Sequence, residues 1–556
     1  MREPGAPNWL PVVASWAVLL LAAAVAVAPL VPPAPRASRE AADFSAALAF
    51  EHIQRIAQEP RPIGTPGNER ARADIVERLR LLGLEPELQT IRVRDYYDPA
   101  GGSVDVVNVA ARISGTAPTK AVALIGHYDT FPGAPGANDD ASAVAIMLET
   151  ARALLAGLRL RNDVILLFTD GEEPAPRFGS SVFVAEHPWA RDIGFLINLE
   201  ALGAGGPSLL AEASAPQGWI IDQYAAAVPY PAAFSFVTAT AELIGGSNSD
   251  FASFREQGTA GVEFAYLHGS PIYHTPSDAP ERVSLRSLQQ QGANTLALTR
   301  HVGNLDLGLS RDDSRSIFFT VARLFVVRYP TAWAFPIVLL TGVVLAVAGW
   351  REPARLKALR SSGATLITVV VAALAAVGIW IRLASWRSAM GFAESYAYLA
   401  GLILLSVGVV TAVARLARRQ IPAGADALGV MLVWWLLGLL AAIWAPGMSY
   451  LFAWPALAGG FVLVCRSSFG SKRWLRLLGW ALVAGTTVVL VVPAVDIFYQ
   501  LAQPRPGNPD SQVLPFVAVP VLLVALKIEL LRVLRERPAG HPSAARSTAT
   551  GNQRSP

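Results

Sequence analysis

Residues 121–129 read AVALIGHYD, and they decide the fold. AVALIG is a short, unbroken apolar run of the kind a strand covered on both faces requires. It runs into a histidine and an acid, and the carboxyl ends of strands are where open α/β sheets gather their ligands. Three further runs repeat the pattern: VILLFT at 164–169, FLINL at 195–199 and AGVEF at 260–264. Helical stretches alternate with them at 68–82, 141–155 and 284–305. Short apolar strands alternating with helices predict an α/β domain over 45–310, with a mainly parallel central sheet flanked by helices.

The remainder of the chain has a different character. Of 556 residues, 53% are hydrophobic and only 16% are charged, against about 25% charged in an ordinary soluble protein. That composition excludes a disordered chain and argues against a wholly soluble one. The single cysteine, Cys465, excludes an intrachain disulfide and a thiolate zinc cluster. Residues 10–31 carry no charge and are long enough to cross a hydrocarbon core. They read as an anchor, with a cleaved signal peptide as the alternative, and 32–44 as a linker.

Beyond 331 the sequence predicts an all-α polytopic domain over 332–533. Its apolar segments lie near 332–350, 364–383, 393–414, 427–445, 449–465, 475–495 and 511–531. Residues 311–331 are expected to form a juxtamembrane helix and 534–556 a disordered cytoplasmic tail. Basic residues are rich in alternate connections. Arg351, Arg355, Lys357 and Arg360 follow the first segment, whereas APGMS, after the fourth, has none. Such alternation orients membrane segments and puts both chain ends inside and the 45–310 domain outside the cytoplasm. The basic clusters are thus topology signals and not a nucleic-acid surface. Glu394, Asp496 and Glu529 fall near segment boundaries, so they do not mark an ion pathway.

Five short motifs follow the strand-like runs. In Gly126-His127-Tyr128-Asp129, the histidine can ligate a metal and Asp129 can orient it. Asn138-Asp139-Asp140 stands just before a helix, where acids can also serve as a cap. Asp170-Gly171-Glu172-Glu173 places adjacent carboxylates that need a cation or solvent. Asn198-Leu199-Glu200 supplies another carboxylate, and Tyr273-His274-Thr275 a second imidazole. Zinc takes His nitrogen and carboxylate oxygen, and two cations about 3.5–4 Å apart need a shared carboxylate. The inventory contains one His and one terminal acid for each of two metals, one bridge and one spare Glu.

The ordered set HYD, NDD, GEE, NLE, YHT resembles the M28 family of co-catalytic zinc metallopeptidases, in particular its membrane-bound branch. The resemblance covers 50–305, and it implies a zinc-peptidase (phosphorylase/hydrolase-like) fold with two Zn2+ per chain. It further implies that His127 and Glu200 bind one zinc, Glu173 and His274 the other, and that Asp139 bridges them. Glu172 would be the general base, and Asp129 would orient His127. Asp250, in Ser249-Asp250-Phe251, and Tyr273 are candidates for a supporting or substrate-pocket role. Glu200 stands where the soluble aminopeptidases commonly have Asp. The implied activity is that of a membrane-anchored aminopeptidase acting on peptides, in a bacterial inner membrane with the domain periplasmic, or lumenal in a eukaryote. The alternatives are a glutaminyl-cyclase-like enzyme with one zinc, and a non-catalytic subunit of a membrane complex.

Overall fold

The computed structural model describes residues 10–35, 40–173, 177–311, 313–382, 421–466 and 472–503, with parts of 399–412. Seven strands form one sheet: β1 (Glu87–Arg94), β2 (Ser103–Ile113), β3 (Ala121–His127), β4 (Asp163–Thr169), β5 (Ile193–Ala201), β6 (Leu209–Ala213) and β7 (Gly261–Tyr266). Their order is β1-β2-β4-β3-β5-β7-β6. The central four, β4-β3-β5-β7, are parallel. They are the four strands expected from the sequence. The edges are antiparallel, with β1 and β2 as a hairpin on one side and β6 against β7 on the other.

Every residue of β3, β4 and β7 is buried, because both faces of the sheet are covered. Val122 and Leu124 enter the core formed with the helices Ala46–Ile56, Ala141–Leu155 and Leu285–Val302. Ala121, Ala123 and Ile125 face the other layer with Phe183, Phe251 and Phe254. This is the period-two alternation of a strand read through two apolar layers. Truncating Leu124, which has no exposed surface, to Ala is expected to cost about 2–5 kcal/mol. A chemical-denaturation midpoint unchanged from the parent chain would contradict that placement.

From β3 the chain crosses to β4 on one side, and β5 lies on the other side of β3. Strand order therefore reverses at β3, and a crevice opens beyond the carboxyl ends of the parallel strands. His127 closes β3, Asp170 follows β4, and Glu200 lies at the end of β5.

Residues 316–330 correct the expected juxtamembrane helix. They form a hairpin, β8 (Ser316–Val321) and β9 (Phe325–Pro330). FFTV and FVVRY are aromatic and β-branched, which favours strands. The turn has positive φ at both central residues, Ala322 (53°) and Arg323 (58°), as a tight hairpin turn requires. Neither is the usual Gly, Asn or Asp, so the sequence carries no turn signal there. The hairpin joins the two parts of the molecule. Thr320 exchanges hydrogen bonds with Ala233 of the sheet domain, and the Phe319 ring stacks on Tyr450 at 4.8 Å.

Among the described residues, five helices are long and apolar enough to cross a membrane: 12–30, 331–351, 355–375, 423–444 and 474–501. A shorter apolar helix, Tyr450–Cys465, packs among them. Along Ala334–Arg351, Leu339 is 62% and Val343 61% exposed, an outer apolar surface that a bilayer would cover. The expected segment at 393–414 is described only in part. That at 511–531, and the tail at 534–556, lie outside the described residues.

Candidate metal centre

The crevice brings together the side chains singled out in the sequence. His127 Nε2 lies 3.4 Å from Asp139 Oδ1, and His274 Nε2 lies 3.2 Å from Asp139 Oδ2. The two oxygens of Asp139 thus face two different imidazoles. Glu173 Oε2 is 2.9 Å from His274 Nε2, and Glu172 Oε2 is 4.0 Å from His127 Nε2. Donor atoms of His127, Asp139 and Glu173 lie within 4.8 Å of one another, as do those of His127, Asp140 and Glu200.

The sequence offers Asp140 only as part of a motif and as a cap. It does both jobs: one oxygen accepts from Ala143 N at the start of the Ala141–Leu155 helix, and the carboxyl also joins His127 and Glu200. Asp140 Oδ2 and Glu173 Oε1 are buried with no hydrogen-bond partner among the described residues. Leaving such atoms unpaired is costly. A divalent cation would satisfy them, and nitrogen with carboxylate oxygen is the donor chemistry zinc prefers.

Electrostatics point the same way. Burial pushes Glu172 and Glu200 well above the usual carboxylate range, against the pull of His127 and with neighbouring acids adding to it. Burial, then Asp139, raises Glu173 to about 8. Burial alone would lower the imidazoles, but at His127 the bonds to Asp129 and Asp139 outweigh it, and at His274 those to Asp139 and Glu173 lift it to about 9. The cluster therefore holds protons when it has no other counter-charge. A cation binding there displaces them, so its affinity rises with pH.

The scaffold around the cluster explains how these side chains are held. Asp129 lies 3.4 Å from His127 Nδ1 and accepts from the backbone N of Glu172 and of Glu173, each at 3.2 Å. One carboxylate thus positions both an imidazole and the GEE turn. That turn starts at Gly171 with φ 72°, a backbone state that favours glycine. Asp170 anchors it by accepting from Asn68 Nδ2 (2.8 Å) and Val107 N (2.9 Å). Arg61 is fully buried and donates to the carbonyls of Tyr128 (2.8 Å), Gly136 (3.1 Å) and Pro135, tying down the loop between the first two motifs. His274 itself has φ 60°, a strained state for a non-glycine residue. It is sandwiched between the Phe131 and Tyr273 rings at 4.6 and 3.7 Å.

Asp250 is buried and accepts from Thr169 Oγ1, so it is no surface cap. Asp278, given no role from the sequence, accepts from Asn138 N (2.9 Å), Asn138 Nδ2 (2.7 Å) and Asp139 N (3.1 Å). Tyr266 OH donates to Asn138 Oδ1 at 3.1 Å. Asp278 therefore fixes the backbone that aims Asp139. Asp278→Ala is expected to weaken zinc binding about 10–100-fold, as loss of a supporting partner typically does. Competition titration with a zinc indicator reads this, and an unchanged affinity would contradict it.

Residues 108–299 match the model of peptidase family M28, which bears out the resemblance carried by the five motifs. Among curated proteins, endoplasmic reticulum metallopeptidase 1 of Homo sapiens is 31% identical over 313 residues, 52% of this chain and 34% of that protein. The vacuolar membrane protease of Candida dubliniensis is 29% identical over 274 residues, 48% of this chain and 29% of that protein. The chain thus spans about a third of the length of these relatives. Among solved structures, an aminopeptidase from Aneurinibacillus sp. strain AM-1 overlaps 47% of this chain and 93% of its own, with 15% identity and a TM-score of 0.39. Porphyromonas gingivalis glutaminyl cyclase overlaps 46% and 97%, with 20% identity and a TM-score of 0.38.

Proposed function

We propose that this chain is a membrane-anchored metallopeptidase whose domain binds two zinc ions and removes residues from the amino termini of peptides. The observation that carries the reading is Asp139, with one oxygen before His127 and the other before His274. His127 and Glu200, with Asp140 beside them, would hold one ion. His274 and Glu173 would hold the other, and Asp139 would be shared. When bound, zinc makes a water acidic and polarises the substrate carbonyl.

The chain's own residues supply the rest. Glu172 takes a proton from the attacking water as its oxygen joins the peptide carbon. As the C–N bond breaks, Glu172 returns that proton to the departing amine. Asp129 holds His127 and the Glu172 backbone in register through this exchange. The surplus of carboxylates around the crevice favours an ammonium group at the substrate's end. The alternating basic connections put the domain on the extracytoplasmic side, which in a bacterium is the periplasm.

The test is turnover of aminoacyl-nitroanilides by the full chain, alongside N-acetylated analogues. Release from the free-amine substrates, lost on chelation and regained with zinc, is expected. Equal turnover of the acetylated analogues would contradict an aminopeptidase.

A further inference from the structure

A cavity of about 800 Å³ lies where the sheet domain meets the apolar helices, and none of the metal-centre side chains lines it. Its size falls within the range of about 300–1,000 Å³ typical of small-molecule sites. Its origin is visible in the packing of two helices. Leu10–Val27 lies against Arg473–Leu501 through Ala22, Ala26 and Val488. Beyond Val488, the next turns carry Val492 and Val495, and these line the cavity together with Leu30. That wall is hydrocarbon, and it belongs to segments long and apolar enough to cross a membrane.

The rest of the lining comes largely from the sheet domain and mixes small and apolar residues with charged ones. Arg282 and Arg286 belong to it, together with Glu281. Arg286 is held at the rim by donating Nε (3.0 Å) and Nη2 (2.6 Å) to the carbonyl of Pro32. A guanidinium has five N–H donors, so it keeps others for an anion. Asp496, on the apolar helix, is paired with His268 Nε2 at 3.0 Å. That contact occupies one oxygen of the acid from the domain side. The pair ties the helix bundle to the sheet domain.

A cavity with hydrocarbon on one wall and guanidinium groups on the other matches an amphiphile with an apolar tail and an anionic head. Because the apolar wall is made by bilayer-crossing segments, the occupant can arrive from the outer leaflet without leaving hydrocarbon. We propose that the cavity holds one anionic phospholipid, its acyl chain along Leu30, Val492 and Val495 and its phosphate at Arg282 and Arg286. Ile272 also lines the cavity, and its carbonyl accepts from Thr275 Oγ1 at 2.7 Å and Thr275 N at 3.1 Å, closing the turn that carries His274. A bound lipid therefore packs against the turn next to the metal centre and stabilises the folded chain by mass action.

The experiment uses the full chain, purified in detergent, stripped of lipid and followed by thermal unfolding. Dioleoyl phosphatidylglycerol, dioleoyl phosphatidylcholine and glycerol 3-phosphate are added separately, and native mass spectrometry counts retained lipid. Phosphatidylglycerol is expected to raise Tm saturably with one molecule per chain. Phosphatidylcholine should need about tenfold more, and glycerol 3-phosphate should have no effect. Arg282→Gln is expected to weaken the phosphatidylglycerol response about tenfold, the scale of one charge-assisted hydrogen bond. Val495→Trp should abolish it by filling the cavity, and Val492→Phe, a smaller change on the same wall, should weaken it. Equal responses to both phospholipids, a full response to glycerol 3-phosphate, or undiminished binding in Arg282→Gln and Val492→Phe would each overturn the proposal.

Discussion

Glu172→Gln is expected to lower kcat by about 10²–10⁴-fold, with zinc content unchanged. That loss corresponds to about 3–5.5 kcal/mol of transition-state stabilisation. The amide keeps the size of the carboxylate but cannot take a proton. Glu172 lies 4.0 Å from His127 Nε2, at the edge of the cluster, whereas Asp139 and Glu173 sit within 3.4 Å of an imidazole. Its replacement should therefore separate proton transfer from metal binding. Steady-state kinetics beside metal analysis on the same preparation checks both halves. A kcat within tenfold of the parent chain would remove Glu172 from the role of base.

Asp139→Ala is expected to release both zinc ions and to abolish turnover. Among the described residues only Asp139 has a carboxylate oxygen within 4.0 Å of each imidazole, and it is only 4% exposed, so solvent cannot replace it cheaply. The bonds from His127 and His274 outweigh burial and hold its carboxyl below the usual range, so it is an anion when the chain is folded. With the proposed bridging role, its removal would take a shared ligand from each site. The loss of affinity should exceed the roughly 10–100-fold typical of a supporting partner, and chelation should no longer lower Tm. Two tightly held zincs in the variant would exclude a bridging role.

Much of this was legible because burial leaves a strong signature. The four central strands are unbroken apolar runs, since helices cover both faces, and four of the five motifs sit where those strands end or shortly beyond. The edge strands were less legible. β1 alternates exposed and half-buried residues, and β6 is only five residues long, so neither shows an apolar run. The β8–β9 hairpin misled because its turn lacks the residues that normally mark one, and its arginines resemble the polar face of an interfacial helix.

At the site, residue types and their order identified the cluster, but not its supports. Asp278 is 140 residues from Asn138, and Arg61 is 67 residues from Tyr128. Contacts that distant leave no local pattern. Asp140 was obscured for another reason, since a helix cap already accounts for an acid at that position. His268 and Asp496 illustrate the same limit. Each is unremarkable in its own segment, and their pairing appears only when the domain is seated on the helices.

Two cations around one shared carboxylate are what the proposed function requires of the crevice. Metal content per chain, measured on the purified full-length protein after dialysis against zinc-free buffer, tests it most directly. Two zinc ions per chain are expected, with hydrolysis lost on chelation and restored by zinc. One zinc without peptide hydrolysis would contradict it and favour a cyclase-like centre, and a folded chain that retains no metal would contradict it altogether.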